Sequence, residues 1–182
     1  IRIIKPRVGG GFGGKQTSVT EIYPGFVTLE TGKPSILVFD REETFEASNS
    51  RHQMKVKVKI GAKKDGTIEA CDIYALSDQG AYGYHAFTTL NLVGNKTLPL
   101  YSRMRAARFF GQVVYTNKLP GGAFRGYGAV QGTFALESMV NKLAKELNMD
   151  PVELRLKNTV REGEKTLAYG IDVKSCKLNE CI

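Results

Sequence analysis

A run of alternating apolar and basic residues, QMKVKVKIG at 53–61, constrains the fold more than any other feature of the sequence. The apolar residues are Met54, Val56, Val58 and Ile60, and the lysines that alternate with them are Lys55, Lys57 and Lys59. A period of two predicts a strand with one face in the core and the other in water. A second apolar run, TIEACDIYAL, follows AKKDG, in which Asp65 and Gly66 are typical of a tight hairpin turn. We therefore expect an antiparallel hairpin with one solvated face.

Before this hairpin, the sequence predicts three further elements. Apolar residues favour a strand at 2–7 and a helix over 18–33 that is disturbed at Pro24. Pro34 then restarts the chain into a strand, SILVFD. Residues 2–40 are thus expected to form a strand, a helix and a second strand, in that order.

After the hairpin, we predict a strand at 108–117, a helix over 130–147, and a second helix with Asp150 as N-cap and Pro151 at its first position. The longer helix has one apolar stripe, formed by Phe134, Leu136, Met139, Val140, Leu143 and Leu147. The glycine-punctuated segment 77–101 fits a substrate-facing loop and a simple connector equally well.

These elements predict the fold class. Strand hairpins coexist with strand-to-helix crossovers, which is typical of an α+β fold with a mixed sheet and helices packed on one face. The length of 182 residues predicts a single domain over 1–182. No apolar run is long enough for a membrane span, and IRIIKPRV is not a signal peptide, so a cytoplasmic protein without a membrane partner is expected.

Charge and metal-ligating residues exclude several functions. The net charge of +8 is dispersed and accompanies no nucleic-acid-binding motif, so no nucleic-acid partner is expected. The three cysteines, Cys71, Cys176 and Cys181, match no zinc or redox spacing and are predicted to be buried reduced thiols. With His52 and His85 as the only histidines, a zinc site held by protein ligands is not expected.

A glycine-rich stretch, VGGGFGGKQ at 8–16, allows very close approach to its backbone. A phosphate-binding P-loop would need Ser or Thr after the lysine, where this chain has Gln16. A dinucleotide fingerprint would need an acidic residue about twenty positions on, and Asp40 lies 26 residues after Gly14. A mobile turn without a ligand is the third interpretation.

A second glycine-rich stretch, KLPGGAFRGYGAVQG at 118–132, has a similar layout. Each stretch is predicted to follow a strand and precede a helix, which would leave free backbone amides at a helix start. Such amides are donors for an anionic oxygen or sulfur, and two converging loops could hold one ligand from two sides. Tight strand-to-helix turns without a ligand fit this pattern equally well.

Together, GGGFGGKQ and GAFRGYGAVQG resemble the paired molybdopterin loops of the molybdenum hydroxylases, the xanthine dehydrogenase and aldehyde oxidase family. The resemblance extends through SRHQMKVKVKIGAKKDGTIEA, VVYTN and LNMDPVELRLKN. Within the family, the chain is most similar to the separate molybdenum-binding subunit of bacterial xanthine dehydrogenases.

The resemblance implies roles for individual residues. Its cofactor-facing positions are Gly11, Phe12, Gly13, Phe124 and Arg125. Of these, Phe12 and Arg125 would approach the metal through their backbone, behind the metal's own ligands. Gln16 stands where mammalian xanthine oxidases have a purine-binding glutamate, and Tyr127 stands where an aromatic residue contacts the flat heterocycle. An amide can donate and accept but carries no charge, so Gln16 implies recognition without charge assistance.

The resemblance also implies a reaction, cofactors and partners. The family hydroxylates electron-poor carbons of purines, related N-heterocycles or aldehydes with oxygen from water. The expected cofactor is molybdenum–molybdopterin, in its cytosine dinucleotide form, with iron–sulfur clusters and FAD in partner subunits. A non-catalytic module that binds a nucleotide or phosphate through the glycine loops is the alternative.

Three family features have no match in this sequence. The catalytic glutamate belongs to a C-terminal segment beyond Ile182, so we assign no catalytic residue here. An upstream cofactor-binding glutamine is also absent, and TLNLVGNK stands where mammalian enzymes have a substrate arginine. The chain is therefore expected to be a fragment of a larger subunit, inactive by itself and completed by the rest of that subunit.

Overall fold

A three-stranded mixed sheet is the centre of the protein in a computed structural model, which describes residues 2–167 and 169–182. The elements, in chain order, are α1 (Ile22–Thr31), α2 (Arg41–Ala47), β1 (Gln53–Ala62), β2 (Ile68–Asp78), α3 (Ala86–Asn95), a 3-10 turn (Leu98–Tyr101), β3 (Ala106–Val114), α4 (Ala129–Glu146), α5 (Pro151–Asn158) and α6 (Leu178–Cys181). The strand order is β1-β2-β3, with β1 antiparallel and β3 parallel to β2.

The predicted hairpin is confirmed. Strands β1 and β2 pair from Gln53 opposite Asp78 to Ile60 opposite Cys71. Its turn contains Gly66 at a φ of 83°, a conformation that glycine adopts without strain. The lysines of β1 are exposed and its apolar residues are half-buried, as the alternation predicts.

Helices cover one face of the sheet. The crossover from β2 to the parallel strand β3 runs through α3, and α4 packs on both α3 and β1. Gly132 permits close packing of these helices, because a Cβ there would lie 2.4 Å from the carbonyl oxygen of Val93. The fully buried side chains of this layer include Ile73, Leu136, Val140 and Leu154. The α+β prediction is therefore confirmed.

The two helices predicted after β3, α4 and α5, begin close to their predicted positions. Helix α4 starts at Ala129, and α5 starts at Pro151 with the Asp150 carboxylate accepting from the amides of Val152 and Glu153. One member of the predicted apolar stripe differs, since Phe134 is 75% exposed. Its ring lies beside the packed face of α4 rather than within it.

The predictions for the first fifty residues are partly wrong. Residues 2–7 and 35–40 belong to no strand, because neither segment pairs with a neighbour, and a strand is stable only when its backbone groups are paired. The first helix is shorter than predicted and starts two residues before Pro24. Helix α2, which we did not predict, is started by a capping box between Asp40 and Glu43.

The cysteine prediction holds only in part. Burial raises the pKa of the Cys71 thiol to about 11, so this group stays protonated. Cys176 is half-buried, whereas Cys181 is exposed, because α6 is a single short turn at the surface. In the described part of the chain, no helix has the length and apolarity that a membrane crossing needs.

Candidate functional site

The two glycine loops meet. The first loop is residues 8–16, and the second loop is residues 118–128, the part of the second glycine-rich stretch that precedes α4. A Cβ added to Gly13 would lie 2.1 Å from the carbonyl oxygen of Ala123 and 2.7 Å from the amide nitrogen of Phe124. Gly13 also has a φ of 104°, which side-chain-bearing residues rarely adopt. The first loop therefore requires glycine at this point to lie against the second.

A cleft of about 570 Å³ opens beside this contact. Both loops line it, through Gly11, Phe12, Phe124 and Arg125 among others. The remaining lining comes from Val19 and from the segment leading into β1, through Phe39, Thr44, Ser48 and Asn49. The structure thus brings four of the predicted cofactor-facing residues to one cavity and places the fifth, Gly13, at the contact of the loops.

Arginine side chains lie over aromatic rings in both loops. The Arg125 guanidinium is 5.5 Å from the centre of the Phe12 ring, and that of Arg51 is 4.7 Å from the centre of the Phe124 ring. Arg51 also donates from Nη2 to the carbonyl oxygen of Arg125 at 2.5 Å. Cation–aromatic contacts therefore connect the first loop, the second loop and the start of β1.

The backbone is strained at these loops. Among the described residues, four other than glycine have positive φ: Phe12, His85, Tyr127 and Asn148. Asn148 follows the end of α4, where this conformation is common. Phe12 and Tyr127 lie within the loops, and His85 contacts Tyr127. Strain of this kind is concentrated at functional sites.

Several loop amides are free donors. Within residues 2–167 and 169–182, the amides of Phe12, Gly13, Phe124, Arg125 and Gly126 donate to no protein acceptor. Helix α4 begins directly after the second loop, and no side chain caps its N-terminus. This end of the cleft therefore offers unpaired N–H groups and a partial positive charge, a setting suited to anionic oxygens.

Only the second loop follows the predicted strand–loop–helix layout. It leaves the sheet after β3 and enters α4 directly, and Gly121 and Gly122 donate to the carbonyls of Gln79 and Ser50. The first loop follows no strand, and the separate segment 17–21 lies between it and α1. The predicted duplication of the layout is therefore wrong for the first loop.

Asp78 anchors the base of the second loop. Its carboxylate accepts from the Thr116 hydroxyl at 2.6 Å, the Gly80 amide at 3.0 Å and the Lys118 ammonium at 3.0 Å. These hydrogen bonds favour the charged form and lower the pKa of Asp78 to about 2. The carboxylate thus joins the end of β2 to the segment that leads into the loop.

The two predicted substrate residues lie outside the lining of this cleft. Gln16 is exposed at the end of the first loop. The Tyr127 hydroxyl hydrogen-bonds Nδ1 of His85 at 2.6 Å. His52 is buried beside the second loop, where desolvation lowers its pKa and favours the neutral ring.

Sequence reasoning missed the residues that support the cleft from the side of β1. Asn49 packs so closely against Gly122 that an added Cβ there would lie 1.7 Å from its Nδ2. Arg51 contacts the second loop as described above. Neither residue has a spacing or motif that predicts such a role, although the capping sequence at Asp40 could have indicated α2.

The chemical groups that line the cleft indicate which kind of ligand fits it. No cluster of three or more His, Cys, Asp or Glu side chains that could hold a metal ion is found in the described ranges. The cleft instead presents backbone amides, the Arg125 side chain and phenylalanine rings. A metal carried by an organic cofactor with anionic oxygens fits these groups, whereas a metal held directly by side chains does not.

Comparison with known proteins agrees with the conclusion that the cleft fits a metal carried by an organic cofactor. The family model described as the molybdopterin cofactor-binding domain matches residues 1–159. The chain is 40% identical over its whole length to a putative xanthine dehydrogenase molybdenum-binding subunit of Escherichia coli. It is 37% identical, over 93% of its length, to the nicotinate dehydrogenase large molybdopterin subunit of Eubacterium barkeri, of which it covers 40%.

Solved structures give the same result. The aldehyde oxidoreductase from Desulfovibrio gigas superimposes with a TM-score of 0.83 and 34% identity, over 94% of this chain and 19% of that one. The chain spans 24% of the length of the Escherichia coli relative. The family model covers most of the chain, including both glycine loops and the cleft that they line, and the chain therefore belongs to the molybdopterin cofactor-binding domain family.

Proposed function

We propose that this chain supplies the two loops that hold a molybdenum–molybdopterin cofactor in a xanthine-dehydrogenase-like hydroxylase. The observation that carries the proposal is the contact between Gly13 and Ala123, which brings the free amides of both loops to one cleft. When bound, the cofactor would supply the redox chemistry that hydroxylates the substrate with oxygen from water. The protein residues would supply binding and orientation.

The backbone of both loops would hold the cofactor. The amides of Gly11, Phe12 and Gly13 would donate from the first loop, and those of Phe124 and Arg125 from the second. Fixed N–H donors stabilise negative charge without reorganising during a reaction and without losing a proton of their own. Phe12 would pack beside the metal centre and exclude water there.

Gln16 and Tyr127 are the proposed substrate contacts. The Tyr127 ring can stack on or meet the edge of a flat, electron-poor heterocycle, while its hydroxyl is held by His85. Gln16 can donate to and accept from a ring nitrogen and an exocyclic oxygen. The named relatives include xanthine and nicotinate dehydrogenases and an aldehyde oxidoreductase. We therefore propose purines, related N-heterocycles or aldehydes as the substrate class.

The rest of the reaction would depend on groups outside this chain. We propose that the catalytic glutamate, the remaining cofactor contacts and the iron–sulfur and FAD subunits lie elsewhere in a larger cytoplasmic enzyme. We further propose that the cofactor is the cytosine dinucleotide form. The 182-residue chain by itself would then hydroxylate no substrate.

The loop contact can be tested with two glycine variants of the complete enzyme. Gly13→Ala places a methyl group against the backbone of Ala123, whereas Gly9→Ala meets no atom of residues 2–167 and 169–182 within 4 Å. We expect Gly13→Ala to lower bound molybdenum at least about tenfold, because backbone contacts cannot yield to a side chain. Gly9→Ala should retain the wild-type content, measured by elemental analysis and by mass spectrometry of the released cofactor. Equal molybdenum content in both variants, or a released nucleotide without molybdopterin, would contradict the proposal.

The substrate role of Gln16 needs a separate measurement. Gln16→Glu adds a charge at the end of the first loop without changing the length of the side chain. We expect the ratio of kcat/KM for purines to that for aldehydes to change about tenfold, since a carboxylate can only accept hydrogen bonds. Lys33→Gln lowers the net charge by the same amount at an exposed position after α1 and serves as the control. Unchanged selectivity in Gln16→Glu would remove this residue from the substrate site.

A further inference from the structure

Arg51 joins the strand side of the cleft to the second loop, immediately before β1. Its guanidinium lies over the Phe124 ring, and its Nη2 donates to the carbonyl oxygen of Arg125. We propose that Arg51 is a positioning residue that fixes the Arg125–Gly126 peptide and thereby directs a free amide of the second loop. The proposal rests on the proposed function, in which the two loops hold the cofactor.

Peptide geometry gives the direct consequence of this hydrogen bond. In a trans peptide, the carbonyl of one residue and the N–H of the next lie in one plane and point in opposite directions. Because Arg51 binds the carbonyl of Arg125, the N–H of Gly126 must point to the other side of the loop. That N–H donates to no acceptor among the described residues. Arg51 therefore holds one oxygen of the loop so that the following donor stays available.

The ring of Phe124 is held by the same guanidinium. Phe124 lines the cleft and is 46% exposed, so one part of the ring faces the cleft while the guanidinium of Arg51 lies over it. Arg125, whose carbonyl Arg51 binds, places its own guanidinium over Phe12 of the first loop. A change at Arg51 is therefore expected to reach both loops through residues 124 and 125.

The planar guanidinium is required for this arrangement. One face lies over an aromatic ring while an edge nitrogen donates to a carbonyl, and the compact ammonium of lysine cannot make both contacts with the same geometry. The second terminal nitrogen, Nη1, is buried and has no partner within the part of the chain that the structure describes. This leaves one further donor for a water molecule or an anionic oxygen behind the loop.

The test uses Arg51→Gln and Arg51→Lys in the complete enzyme, with Arg41→Gln as the matched control. Arg41 also lies over a phenylalanine, Phe45, at 5.1 Å, but α2 places this pair outside the second loop. In cofactor-free protein, we expect Arg51→Gln to speed hydrogen exchange of the Tyr127 and Ala129 amides about tenfold, because both are hydrogen-bonded within the loop.

In loaded enzyme, the same substitution should lower molybdenum retained after dialysis about tenfold. Arg51→Lys should fall between Arg51→Gln and wild type, and it should alter the electron paramagnetic resonance spectrum of the reduced metal. Arg41→Gln should match wild type in all three measurements.

Each outcome decides the proposal. Exchange rates and metal retention in Arg51→Gln equal to those of Arg41→Gln would overturn it. If Arg51→Gln does not fold, Arg51→Lys decides, and wild-type exchange, retention and spectrum in that variant would overturn the proposal. A wild-type enzyme without molybdenum would contradict the proposed function instead, while the exchange measurement would still test the role of Arg51 in the loop.

Discussion

The two glycine loops are held in opposite ways. The second loop is part of the packed region 50–160, where backbone hydrogen bonds to Gln79 and Ser50 and the start of α4 fix its path. The first loop belongs to the region 2–49, and neither α1 nor α2 contains a buried residue. One loop is therefore held in place by a core, while the other depends on its contacts with region 50–160.

The exposed apolar surface follows the same division. Large hydrophobic side chains of region 2–49 with more than half of their surface exposed include Ile22, Tyr23, Phe26, Leu29, Ile36, Val38 and Phe45. In region 50–160, apolar residues of the sheet and helices form the buried clusters. Fewer large hydrophobic side chains are more than half exposed there, namely Tyr82, Phe87, Phe110, Tyr115 and Phe134. The stability of the chain is therefore expected to come from region 50–160.

A pair of leucine substitutions should give the largest difference between the regions. Leu136 in α4 is 1% exposed, and Leu29 in α1 is 73% exposed. We expect Leu136→Ala to lower the free energy of unfolding by about 3 kcal/mol, because it leaves a cavity in the core. Leu29→Ala should change it by less than about 0.5 kcal/mol. Urea denaturation measures both values, and a similar loss in the two variants would show that region 2–49 has a core of its own.

A smaller effect is expected at the anchor of the second loop. The pKa of Asp78 is about 2 in the folded chain, below the ordinary 3.8, so its charge stabilises the fold above pH 4. That contribution should disappear as pH falls from about 4 to about 2. Asp78→Asn should lose about 1 kcal/mol at pH 7 and show a flatter acid dependence.

The control for this substitution is Glu30→Gln, on the exposed surface of α1. Its pH dependence of unfolding should match that of the wild-type chain. If Asp78→Asn also retained the wild-type profile between pH 4 and 2, the carboxylate would not anchor the loop.

The smallest effect is expected for the strained tyrosine. Tyr127→Phe removes the hydroxyl that bonds His85, and we expect a loss of about 0.5 kcal/mol because the residue is only half-buried. Tyr23→Phe removes a hydroxyl from exposed α1 and should cost nothing measurable. Thermal unfolding compares the two, and equal melting temperatures would indicate that His85 does not support the second loop.

Elements with strong local patterns could be predicted from the sequence. Alternation identified β1, a turn pair identified the hairpin, and Asp150 with Pro151 identified the start of α5. Helix α3 and the absence of strands at 2–7 and 35–40 could not be predicted in this way. Helix α3 lacks a side-chain cap that would mark its start. Whether residues 2–7 and 35–40 form strands depends on the presence of a pairing partner elsewhere in the fold.

The sequence by itself determined the hairpin, helices α4 and α5 and the presence of two glycine-rich loops, because these features depend on neighbouring residues. Only the tertiary structure decided that Gly13 lies against Ala123 and that Arg51 binds the carbonyl of Arg125. Such contacts join residues far apart in the chain, and no local periodicity records them. The sheet and α4 bring these residues together, since they fix the second loop against which the first one packs.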